Sequence, residues 1–425
     1  MRRLVVSVVV WACIAGAAAV ASGQSPTEED AHRPHDAVDV GWQLMLDGVV
    51  FATFDHQGGR RGAQEFESQN WFMAMGTRRL PRGTLTLSGM VSAEPLTVGI
   101  AGYSEIFQEG EAYHNLQVTD RQHPHDLFMQ LAAAWRLPIG QQVSLTVAGG
   151  PRGEPALGPA AFMHRASSAE NPAAPLSHHI FDSTHTTTGV VTAGLDRGPF
   201  AIEGSVFRGR EPDEDRYDLD VGALDSWSAR VWCRPNKEWA IQVSHGYLHE
   251  PEQLEPGDQR RTNGSVSWFR ERPSGFTAVT AAVGWNVRHY STVHALLAEV
   301  THQSGATSVY ARIEDLTVET EILLFPEIVH RPHPGELVDP IREITSGVVR
   351  DLANVHGFQM GVGGDVSFYG VPDLLKFTHG DHPVSYHIFL RVRPPARGGR
   401  MWNMTMGQPM EGEMGDGVPM HHHGG

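Results

Sequence analysis

Between Leu224 and Asn286 the chain repeats one unit, a run of about ten residues alternating apolar and polar, followed by a turn. Trp227, Ala229, Val231 and Cys233 alternate with Ser226, Ser228 and Arg230. After Pro235-Asn236-Lys237 the pattern resumes with Trp239, Ile241, Val243 and Tyr247 against Gln242, Ser244 and Gly246. Val266 and Trp268 alternate with Ser265 and Ser267, and Pro273-Ser274-Gly275 leads into Val279, Ala281, Val283 and Trp285. A period of two means strands with two unlike faces. A soluble sandwich would put large aliphatics on one face and charges on the other. Here the apolar face is thin and edged by Trp and Tyr, and the other face is Ser, Gln, Gly, Arg and Asn, which predicts a closed antiparallel transmembrane β-barrel.

Export is consistent with that fold. Arg2-Arg3, the apolar run Leu4 to Ala12 and small residues through Ala21-Ser22-Gly23 read as a signal segment over 1–23, with cleavage before Gln24. Residues 24–38 are a polar, acidic lead-in, the barrel is expected over 39–394, and 395–425 reads as a disordered tail. Cys233 is then the one cysteine outside the signal, so no intramolecular disulfide staples the fold. No later run of apolar residues is long enough for a membrane helix. The formal charge of −16 becomes −18 once Arg2 and Arg3 are removed, which disfavours nucleic acid as a partner and favours cations.

The connections alternate in length. Short ones fall at Pro81-Arg82, Pro138-Ile139, Arg197-Gly198, Pro235-Lys237, Pro273-Ser274 and Ser304-Gly305, whereas long ones span roughly 54–68, 95–124, 150–184, 208–223, 248–260 and 317–352. That asymmetry gives short periplasmic turns and long outer loops. Fifteen strand-like segments are visible, an odd number, so 14 or 16 strands are expected. The two counts differ in how 317–394 is read, where Glu321 to Phe325 is a candidate strand and Val371 to Lys376 a candidate periplasmic segment.

Candidate chemistry concentrates in three places. Met401, Met404, Met406, Met410, Met414 and Met420 lie among Gly, Pro, Gln and Glu, followed by His421-His422-His423. Thioethers select Cu(I) or Ag(I), and imidazole adds affinity for Cu(II), Ni(II) or Zn(II), so the tail is a candidate copper-binding segment. His123-Pro124-His125-Asp126 closes a long loop and opens a strand. Leu127, Met129, Leu131, Ala133 and Trp135 form the outward parity of that strand, which puts Asp126 with Phe128, Gln130 and Arg136 on the lumen side. His178, His179, Asp182 and His185 stand at the end of another long loop, so both clusters belong to the outer mouth. They can ligate a metal, line a cation path, or brace the barrel by hydrogen bonds. An acidic loop, Glu211 to Asp215 with Asp218 and Asp220, can attract divalent cations, though such runs are commonly solvated.

In its barrel pattern the chain resembles Gram-negative outer-membrane β-barrel proteins. Its 24 histidines and the Met/His tail are similar to the barrels of copper-resistance systems, the copper-resistance protein B type. That resemblance implies an outer-membrane location and copper binding, export or resistance without turnover chemistry. The family's Met/His-rich segment precedes its barrel, whereas this one follows it. The competing expectation is a porin-like channel for a small polar solute with structural histidines. Outer-membrane lipid and metal ions or small polar solutes are the expected partners, copper is the candidate ion, and no cofactor is needed for catalysis. No Gly-x-Ser-x-Gly, His-Glu-x-x-His or phosphate loop is present, so an enzyme is not expected.

Overall fold

A computed structural model describes residues 41–326, 337–394 and 400–407. The expected signal and lead-in, and Met410, Met414, Met420 and His421 to His423, lie outside the described residues. The chain opens with β1 (Gln43–His56), β2 (Gln64–Glu67), β3 (Asn70–Arg79) and β4 (Thr84–Val91). A separate hairpin, β5 (Tyr103–Tyr113) and β6 (Leu116–Gln122), follows. The wall continues with β7 (Phe128–Pro138), β8 (Val143–Gly153), β9 (Thr187–Arg197), β10 (Phe200–Phe207), β11 (Ser226–Asn236) and β12 (Trp239–Leu248). It is completed by β13 (Gln259–Arg272), β14 (Gly275–Val287), β15 (Thr292–Ser304) and β16 (Thr307–Glu319). Last come β17 (Val338–Val355), β18 (Phe358–Gly370) and β19 (Val384–Arg393).

Every wall pairing is antiparallel, and β1 closes the ring by pairing with β19 from Val50↔Val392 to His56↔Tyr386. Its other edge pairs first with β3, from Gln43↔Thr77 to Val50↔Asn70, and then with β2, from Thr53↔Glu67 to His56↔Gln64. Thus β2 and β3 are one wall strand interrupted at Ser68-Gln69, and the closed barrel has sixteen strands. The strand missing from the sequence reading is β17. Glu321 to Phe325 is mostly the short helix Thr320–Leu324 instead. Val371 to Lys376 leads into a helix, Asp373–His379, at the outer end rather than on the periplasmic side, where His379 Nε2 meets Asp120 Oδ1 at 2.8 Å.

The alternation does what a period of two dictates. In β10, Phe200, Ile202 and Val206 are 58%, 55% and 45% exposed, while Ala201, Glu203 and Ser205 between them are buried. Leaving one large apolar side chain in water forgoes about 1.5–3 kcal/mol. Around the whole wall that cost is met only if the outer band faces lipid. Trp42, Trp135 and Trp239 lie exposed near the turn ends of their strands and Trp227 and Trp285 near the loop ends, giving two aromatic belts.

Parity breaks at one place that matters. Leu131, Ala133 and Trp135 keep the outward face, but a bulge between Met90 and Val91 of β4 leaves Met129 unpaired on β7 and turns it inward, where it is fully buried.

Chain segments enter the lumen from both ends. Residues 154–186 fold inward and are held to the wall all round. Ser205 Oγ of β10 accepts from Ala156 N–H at 2.7 Å, and Ser244 Oγ of β12 accepts from Gly158 N–H at 2.8 Å. Arg165 donates to Glu299 of β15 at 2.6 Å, Arg312 of β16 donates to the Ala174 carbonyl at 2.9 Å, and Glu170 pairs with Arg391 and Arg393 of β19. From the turn end, residues 400–407 enter the barrel. Asp47 accepts from Arg400 at 2.6 Å and from Met401 N–H at 2.9 Å, and Trp402 packs on Phe269 and Phe276. The described part of the tail is therefore packed in the lumen, in contrast to the disordered extension its composition suggests.

Candidate functional site

The two histidine clusters, far apart in sequence, meet. His123, His125 and Asp126 arrive on the segment entering β7, and His178, His179, Asp182 and His185 on the short helical turns His178–Phe181 and Ser183–Thr186 that end the inward segment. Ring centroids step from His123 to His179 (5.2 Å), His178 (5.3 Å), His185 (5.3 Å) and His125 (5.2 Å). Phe162 covers the inner end, its ring 5.2 Å from that of His178 and 6.1 Å from that of His125.

Acceptors fix three of these rings through Nδ1. Glu94 Oε2 lies 2.8 Å from His125 Nδ1 and also accepts from His125 N–H at 2.9 Å. Asp182 Oδ1 lies 2.7 Å from His178 Nδ1, and the Asp182 carbonyl 2.7 Å from His185 Nδ1. An acceptor at Nδ1 leaves Nε2 as the bare lone pair, the arrangement in which imidazole binds metal. His178 Nε2 is buried with no hydrogen-bond partner, and His125 Nε2 and His185 Nε2 are 3.1 Å apart. These loop histidines lie outside the spanning strands. Burial holds His123 and His185 well below the ordinary imidazole range, and neighbouring imidazoles add to the effect.

The two aspartates do other work. Asp126 is engaged by Arg152 and, at 3.3 Å, by Arg216; Asp182 spends its second oxygen on Arg165. Both orient or neutralise neighbours and neither is an open ligand. Glu211 of the acidic loop turns inward, 3.7 Å from His179 Nδ1, and with Glu252 forms a set of three possible ligand atoms within 4.8 Å. Asp213, Asp218 and Asp220 form a second close set on the outside of that loop.

Met401 and Met404 join Met45, Met73, Met75, Met90, Met129 and Met163 in one buried cluster, eight of the chain's 14 methionines. Met406 packs separately, with Ala134, Ala148, Leu157 and Val190. Phe162 touches both the methionine cluster and the histidine chain. Sequence reasoning missed Glu94, Glu111 (3.1 Å from His123 Nε2) and the six methionines of residues 45–163. Met73 and Met75, two apart on one strand, were the available sign of an inward methionine face.

Known structures share this architecture. An anion-selective porin from Comamonas acidovorans aligns with a TM-score of 0.50 at 10% identity, over 83% of this chain and 100% of that one. OprB of Pseudomonas putida aligns with a TM-score of 0.52 at 9% identity, over 84% and 94%. At such identities the likeness is one of fold, and that fold is the closed transmembrane β-barrel of Gram-negative outer membranes. No protein-family model and no curated protein matches the sequence.

Proposed function

We propose that this chain is a porin-like outer-membrane channel for small polar solutes, narrowed by its inward segments and preferring cations at its outer mouth. The observation that carries the reading is the charge around the cavity at the outer end, which is lined by Glu109, Glu252, Glu255, Glu319 and His179 with Arg288. Arg288 is one positive charge set against three carboxylates, Glu252, Glu255 and Glu319. Burial pushes Glu252 up to about 7 and Glu109 and Glu255 well above the usual carboxylate range, so the mouth gains negative charge as pH rises through that range and then raises the local concentration of cations. The turn end is of opposite sign, its cavity carrying Arg234, Lys237, Arg272, Arg393 and Arg400 against Glu238 and Glu271. Conductance steps of the refolded barrel in planar bilayers, with a reversal potential of cation sign under a salt gradient, are the expected result. A barrel that inserts without conducting would sink the proposal.

A second reading, copper or another soft metal ion as the cargo, is favoured by the methionine cluster, because eight thioethers collected in a lumen form a soft surface that a porin does not require. Deleting Met401 to Gly425 should then lower the copper bound per chain; unchanged stoichiometry would remove this reading.

A further inference from the structure

The outer cavity ends on a group of buried polar atoms whose hydrogen-bonding capacity is unmet. Both ring nitrogens of His179 and both carboxylate oxygens of Glu211 are buried without a hydrogen-bond partner. The Glu211 side chain is 9% exposed and that of Glu252 8%. His179 Nδ1 stands 3.7 Å from Glu211 Oε1, an ion-pair distance too long for a hydrogen bond. Leaving such groups unsatisfied is costly, more so where charge is involved, so their collection at one point calls for an occupant.

The geometry points to a binding site for one divalent transition-metal ion, with His179, Glu211 and Glu252 as its protein ligands. Two ligands on an ion at about 2.0–2.2 Å stand roughly 3–4 Å apart, and the three candidate atoms here all lie within 4.8 Å of one another. One imidazole and two carboxylates form a borderline N/O set that suits Zn²⁺, Co²⁺ or Ni²⁺. Three further features fit. The backbone makes room for the imidazole at Gly110, whose φ of +140° suits glycine and where a Cβ would collide with the His179 ring. The His179 carbonyl accepts from Asn286 Nδ2 at 3.0 Å, which ties its backbone to β14. His179 and Glu252 both line the outer cavity, so an ion reaches them without crossing the wall. The charged and titratable groups facing the set include Glu111 and His178, Arg288, which donates to Glu252 at 3.3 Å, and Arg261, which spends its donors on Asn286, Ser183 and Gln259. The site stands on this geometry whether or not the barrel conducts.

The test uses the full-length refolded protein, loaded with Zn²⁺, dialysed against metal-free buffer and counted by mass spectrometry beside His179→Ala, Glu211→Gln and Glu252→Gln. The unaltered chain should retain one Zn²⁺ more than each variant. Replacing His421, His422 and His423 together by alanine should leave that ion in place. Loading with Co²⁺ should give the strong visible absorption of a low-coordinate ion, lost in the same three variants. Heat-dependent electrophoretic mobility shows whether each barrel has closed, and a variant that does not close is replaced by His179→Gln, judged by the same count. Equal Zn²⁺ in the unaltered chain and the closed variants overturns the proposal, as does loss of all bound metal with the three tail histidines. A barrel that binds Zn²⁺ but fails to conduct would count against the channel reading alone.

Discussion

His125 Nε2 and His185 Nε2 face each other at 3.1 Å across sixty residues of sequence, each ring anchored at its far nitrogen by an oxygen acceptor. Two lone pairs at that distance repel, whereas a proton shared between them makes the contact a hydrogen bond, so the pair is held by that proton or by the acceptors around it. Glu94 is the main restraint, accepting from Asn70 N–H at 3.3 Å as well as from the backbone and ring of His125. Glu94→Gln keeps the shape and removes the charge; a loss of about 1–3 kcal/mol is expected, measured by denaturant unfolding in detergent. An unchanged midpoint would show that Glu94 does not hold the pair.

The inward segment is fixed by buried charge. Arg165→Ala would leave Glu299 and Asp182 without their shared partner, and removing one member of a buried pair costs about 3–5 kcal/mol. Unfolding should shift by that order and residues near Arg165 should become sensitive to protease. Wild-type protection would mean that the hydrogen bonds of Ala156 and Gly158 hold the segment unaided.

Lipid contact is tested at Val243, 60% exposed in the middle of β12. Val243→Lys should cost about 2–4 kcal/mol in bilayers if it lies near the midplane, whereas lysine at a water-facing site would be nearly neutral. The difference is read from refolding yield into vesicles. No penalty would place β12 outside the hydrocarbon.

How much of this was legible depends on what set each feature. Val231 and Val243 against Ser228 and Ser244 could be read directly, because alternation is local and the barrel only expresses it. β17 hid itself: Pro340 and the charged Arg342 and Glu343 break up its start, and Ser346-Gly347 interrupts its middle, although Ile344 and Val348 do face outward. Met129 was assigned to the wrong face because a bulge is set by the partner strand, which a single run of residues does not reveal. The histidine clusters were legible as candidates, but their meeting depends on the path of residues 154–186 through the lumen. For Met401 and Met404, polar neighbours argued for a free tail, yet Arg400 and Met401 find Asp47 inside the barrel.

Residues 400–407 sit across the turn end of the lumen, so deleting Met401 to Gly425 should raise conductance while the outer mouth, and with it the sign of selectivity, stays as it was. Conductance equal to that of the full chain would mean that this segment does not obstruct the path.

The most direct measurement is the reversal potential of the full-length barrel in planar bilayers under a tenfold KCl gradient, repeated with Glu252→Gln and Glu319→Gln combined. Cation selectivity that weakens in the double variant is the predicted result. Anion selectivity, or selectivity that ignores both carboxylates, would contradict a channel governed by the acidic outer mouth.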